Sequence, residues 1–140
     1  MKVLEEEALR RAEEAIKALA DNFEIWFRDE VARLTAARDA VATHGFVAPY
    51  DEQLFRTAHD IKGQAETLGY PLASVVCASL CRLLDGFRDG APPLDIVDHH
   101  VHAVRAIARE KVRTTDHPAA RAAADALEAA VTSLLAGRPD

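Results

Sequence analysis

Three residues in one short run could do chemistry together: His59, Lys62 and Gly63, within Thr57-Ala-His-Asp-Ile-Lys-Gly-Gln-Ala-Glu-Thr-Leu-Gly69. A neutral imidazole is a competent nucleophile near neutral pH. A lysine three residues on places a compact positive charge within reach of an incoming anion. Glycine inside a helix costs about 1 kcal/mol relative to alanine, so its presence one turn after the histidine asks for a reason. Open space beside the ring is one: with no side chain at that position, a bulky tetrahedral group can approach. Histidine, cation and open space suit acceptance of a phosphoryl group. Gln64 is a weaker candidate for the immediate surroundings of the histidine.

The same run must then be a helix that turns its apolar side inward. Leu54, Ala58, Ile61, Ala65 and Leu68 recur at steps of three and four and form one stripe. At about 100° per residue, His59 lies roughly 140° from the centre of that stripe and faces outward. Phe55 precedes it by one turn, while Gly63 and Glu66 follow. Asp51 is expected to cap this helix, Gly69 to stop it, and Pro71 to open the next.

Helical periodicity runs through the rest of the chain, and no segment reads as a strand. Leu9, Ala12, Ile16 and Leu19 form one stripe, and Phe23, Phe27, Leu34, Ala37 and Val41 another, nearly in phase. The phase match leaves open one long helix or two. An unbroken helix of about 40 residues would reach about 60 Å, long for a compact domain, so a break or bend near Asp21 is preferred, with Asp21 or Asn22 as a candidate second cap. Leu72, Val76, Leu80, Leu83 and Phe87 make a further stripe. Leu94, Val97, Val101, Val104 and Ala108 make another, and Ala123, Leu127, Ala130 and Leu134 the last. The fold class is therefore all-α, a single domain over 1–140. An antiparallel four-helix bundle is expected over about 21–114, with additional flanking helices at about 2–20 and 118–136.

Composition narrows the function classes. The 140 residues are 49% hydrophobic and 29% charged, with a net charge of −6, an ordinary globular balance. No lysine- or arginine-rich patch marks a nucleic-acid surface. No apolar run nears the roughly 20 residues that span a bilayer, and the acidic, amphipathic start is unlike a signal peptide. Cys77 and Cys81 lie one turn apart and read as small buried apolar residues rather than a disulfide. A cytoplasmic location is expected. Asp95, His99 and His102 share one helical face, a weak signal for a metal against the simpler reading of a solvated surface. No metal or cofactor is expected on the chain itself.

The run around His59 resembles the motif of histidine-containing phosphotransfer (HPt) domains, H-x-[LI]-K-G-[SA]-[AS]-x-x-[LIF]-G. His59, Ile61, Lys62, Gly63, Ala65, Leu68 and Gly69 match in register. A cysteine commonly stands in that family at the place of Cys77. Two positions depart from the pattern: Gln64 replaces a small residue, and Cys81 stands where a glutamine often reaches toward the histidine, a bond a thiol makes poorly. The resemblance implies a phosphorelay intermediate without its own ATP-binding kinase domain. His59 would be the phosphoacceptor, with Lys62 assisting electrostatically and Gly63 giving access. Its partners would be response-regulator receiver domains or a hybrid histidine kinase, the receiver bringing Mg²⁺. A monomer is expected, although the long first stripe could support self-association. Two alternatives remain: a helical adaptor that is not phosphorylated, and a degenerate dimerisation domain of a histidine kinase.

Overall fold

The computed structural model describes residues 2–138. It contains five helices: α1 (Lys2–His44), α2 (Tyr50–Gln64), α3 (Pro71–Gly86), α4 (Leu94–Arg109) and α5 (Pro118–Ala136). Among the described residues there is no strand. The second half of α1 packs against α2 and α4, and α3 packs against the same two helices, which closes a four-helix ring. α5 lies outside the ring against α3 and α4.

The ring's core is built from the expected stripes. Phe27, Leu34, Ala37 and Val41 of α1 are buried, as are Leu54, Ala58 and Ile61 of α2 and Ala65 just beyond it. Leu72, Val76, Leu80 and Leu83 of α3, and Val97, Val101 and Val104 of α4, complete it. Cys77 and Cys81 are free thiols inside this packing, and burial raises the pKa of both. The last helix does more than flank: Ala124, Leu127 and Val131 are buried. Gly86 explains how closely α5 approaches, because a Cβ there would collide with the Leu135 side chain.

Three local expectations are corrected. First, α1 does not break near Asp21; it is one helix of 43 residues, about 64 Å long. Residues 2–44 contain no glycine or proline and are rich in Ala, Glu, Arg and Leu, so nothing in the backbone chemistry interrupts the hydrogen-bond ladder. Second, residues 2–19 neither cap nor flank the bundle. They project from it and are exposed throughout. Third, Asp51 is not the N-cap of α2. The helix starts at Tyr50 after Pro49, and the Asp51 carboxylate accepts the Glu52 N–H at 2.8 Å within the first turn.

The turn after α2 behaves as its residues demand. The Tyr70 N–H donates to the Ala65 carbonyl at 2.7 Å and the Gly69 N–H to that of Glu66 at 3.2 Å, a Schellman closure. It requires a left-handed residue, and Gly69 supplies it at φ +96°. Pro71 then opens α3. The buried Tyr70 ring stacks on Phe27 at 4.1 Å. Its hydroxyl accepts from Arg113 at 2.9 Å, and Arg113 also donates to the Ala20 carbonyl at 3.2 Å. One guanidinium thus ties the base of the projecting arm to the end of α2 and to the segment after α4.

Candidate functional site

α2 presents His59 to solvent because its neighbours Ala58 and Ile61 are fully buried on the opposite side. The same geometry exposes Lys62 and Gly63. The imidazole stacks on the half-buried Phe55 ring, with centroids 6.0 Å apart and planes inclined by 25°. Phe55 in turn carries the Arg88 guanidinium 6.0 Å from its centroid, a cation–π arrangement at the outer limit of range. Arg88, just beyond α3, is also ion-paired to Asp85 at 2.5 Å.

Gly63 has open space around it: an added Cβ would meet nothing within 4 Å. No neighbour in the chain therefore forbids a side chain there, and its backbone lies in a regular helix that alanine would favour. The Lys62 charge is felt across at α3, where it opposes the effect of burial on Cys81. Burial dominates, and the thiol's pKa is pushed up to about 11. Cys81 is thus a neutral thiol under the edge of the site. The Lys62 carbonyl accepts a hydrogen bond from Ser74 at 2.5 Å, fastening this part of α2 to α3.

Gln64 is exposed but five residues from His59, about 140° around the helix, so the fold does not bring it beside the ring. Glu66 is exposed in the following turn. His59, Lys62 and Gly63 share a continuous surface, and Gln64 lies at its margin.

A cleft of about 560 Å³ adjoins His59 on the side toward the start of α2. Phe46, Phe55, Arg56, Leu84, Phe87 and Arg88 contribute to its wall. Arg56, three residues before His59, and Arg88, from the end of α3, bring two cations to this side. Sequence reasoning found Phe55 but missed the others. Arg56 was within reach of helical spacing, being one turn from His59. Phe46 and Arg88 come from other segments and left no local signal. The weak metal signal on α4 gains no support: among the described residues, no group of three or more His, Cys, Asp or Glu is placed to hold a metal ion. His99 and His102 are exposed, and their neighbour Asp98 instead binds Arg38 of α1 through two contacts of 2.6 and 2.9 Å. That pairing holds the Asp98 carboxyl below its usual range.

No helix among the described residues is long and apolar enough to cross a membrane. No curated protein and no solved structure gives a significant match to the chain. The sequence model of one family, the Hpt domain, does match, over residues 2–137. An all-helical bundle with a motif histidine turned outward on its second helix, matched from end to end by that family, leads to one assignment: the chain belongs to the Hpt domain family, the phosphotransfer modules of two-component signalling.

Proposed function

We propose that this protein relays a phosphoryl group between receiver-domain aspartates through His59. The observation that carries the reading is the pairing of an exposed His59 with a glycine that no neighbour in the chain requires. The reason for Gly63 then lies in what approaches from outside. A receiver domain carrying an aspartyl phosphate docks over α2 and the end of α3. The lone pair of a ring nitrogen, expected to be Nε2, attacks phosphorus. An N–P bond forms, the P–O bond to the aspartate breaks, and the carboxylate leaves with the electron pair. Return of the group to a second receiver reverses these changes.

The residues around His59 divide the remaining work. Lys62 offsets negative charge on the phosphoryl oxygens, and Gly63 leaves room for them. Phe55 offers an apolar contact that helps to seat the partner. The receiver, or a hybrid kinase bearing one, supplies Mg²⁺ and the acidic pocket, so the chain needs no cofactor of its own. Gln64, at the margin, is assigned only an influence on partner contact.

The test is transfer of labelled phosphoryl from a phosphorylated receiver domain to the wild-type chain and to His59→Gln. Label on the wild type alone, lost in acid and stable in alkali as a phosphoramidate requires, is the expected result. No label on either folded protein across a panel of receivers would overturn the relay and leave a helical adaptor.

A further inference from the structure

The projecting part of α1 carries an apolar face that nothing in the fold covers. Leu9, Ile16 and Leu19 are 60%, 66% and 53% exposed, and Ala8, Ala12 and Ala15 lie beside them, also exposed. The spacing of Leu9, Ala12, Ile16, Leu19, Phe23 and Trp26 alternates three and four residues without a fault, the a/d pattern of a helix that packs on another helix. Alone, a helix of this length is marginal in water, and most helices in proteins owe their stability to packing of such a face.

We infer that the arm pairs with the arm of a second copy of this chain, antiparallel about a two-fold axis near residue 14. In that register Leu9 lies opposite Leu19 of the other copy, and Ala12 opposite Ile16, so each large side chain meets a gap or an equal. A two-fold interface must be self-complementary in this way. A parallel arrangement sets Ala12 against Ala12 and leaves a void at that layer. The antiparallel register overlaps residues 5–23 of both copies, short of Phe27, where α1 is first fully enclosed by its own bundle.

Area and charge point to the same occupant. Each uncovered leucine or isoleucine presents on the order of 100 Å². Three of these and the neighbouring alanines, taken from two copies, approach the roughly 1,000 Å² at which specific interfaces begin. Between Leu9 and Leu19 the face carries no charge. Glu13 sits at its rim near the axis with Lys17 one turn on, while Arg10 pairs with Glu14 at 3.4 Å and Glu7 at 3.8 Å away from the seam. Acidic residues outnumber basic ones along the arm, which disfavours an anionic bilayer as the covering surface.

The experiment is sedimentation equilibrium on the full chain, wild type and Ile16→Glu. The wild type is expected to approach the mass of two chains as concentration rises. The glutamate, placed in the middle of the seam, should weaken pairing at least about a hundredfold. It should leave the unfolding transition of the bundle in place, because residue 16 is exposed and outside the core. Cysteine cross-linking then checks the register. Ala15→Cys, close to the axis, should form a disulfide between chains, whereas Leu9→Cys, opposite residue 19, should not; Cys77 and Cys81 are buried and stay silent. A single-chain mass up to several hundred micromolar would overturn the inference and leave the face to a different protein. So would association unchanged in Ile16→Glu, or a link through Leu9→Cys but not Ala15→Cys.

Discussion

His59 and His100 are the same side chain in two opposite settings. His100 of α4 is fully buried. Its Nδ1–H donates to the Ile96 carbonyl at 2.7 Å, and Nε2 accepts from the Ser79 hydroxyl of α3 at 2.9 Å. Both nitrogens are occupied, the ring is neutral, and burial lowers its pKa. His59 sits on the outside of α2 with open space beside it. About 70° of helical phase separates these outcomes: His100 falls at the edge of the stripe of Val97, Val101 and Val104, and His59 falls well outside that of Ala58 and Ile61. A histidine whose nitrogens are both bonded is a structural post, and only the outward one can exchange bonds with a partner.

Substitutions can break this contrast, and the largest expected effect is on transfer. His59→Gln should abolish phosphoryl acceptance, a loss beyond about a thousandfold, while the thermal midpoint stays within a degree or so, since no core contact is removed. His100→Ala should do the reverse. Losing two hydrogen bonds and opening a cavity should cost about 2–4 kcal/mol in denaturant unfolding, with the initial rate of transfer to the folded fraction unchanged. Gly63→Glu should slow transfer at least about tenfold by crowding and repelling the phosphoryl group, and circular dichroism should show an intact bundle. Unchanged rates in that variant would remove the explanation given for the glycine.

The smallest effect sharpens the comparison through pH. Burial lowers the pKa of His100 below the ordinary value of 6.5. The unfolded chain therefore takes up a proton there before the folded one does. Above about 6.5 both forms are neutral and the group adds no pH dependence. As pH falls below that value, stability declines by up to about 1.4 kcal/mol per unit until the folded state is itself protonated. Urea midpoints measured between pH 7 and 5 should show the decline, and His100→Gln should flatten it.

How much of this was legible follows from the range of each interaction. The outward turn of His59, the buried stripes of the four ring helices and the Gly69–Pro71 punctuation are written in steps of three and four residues and came through. The first stripe of α1, by contrast, is exposed, and α5 buries Ala124, Leu127 and Val131 rather than Ala123, Ala130 and Leu134. His100 carried the same signal, standing three residues after Val97 and four before Val104, but the reading of that helix dwelt on the polar face of Asp95, His99 and His102. The phase of its two stripes leaves the continuity of α1 open, and its length argues for a break or bend, but its residues, none of which breaks a helix, carry it through as one. Arg88 and Phe46 reach the cleft only through the packing of α3 and the first loop against α2, a contact between distant segments that no local spacing encodes. The closeness of α5, permitted by Gly86 under Leu135, was hidden for the same reason.

Trp26 is the chain's one tryptophan, half-buried at the junction where α1 leaves the bundle and stacked 6.2 Å from Phe27. Its emission is therefore a built-in optical probe at the boundary of two regions. Loss of the core would shift it to the red as Phe27 and Tyr70 part. Pairing of two arms, whose overlap ends at residue 23, would leave it nearly unchanged as protein concentration rises. A single fluorophore, excited without any label, therefore reports loss of the core separately from pairing of the arms.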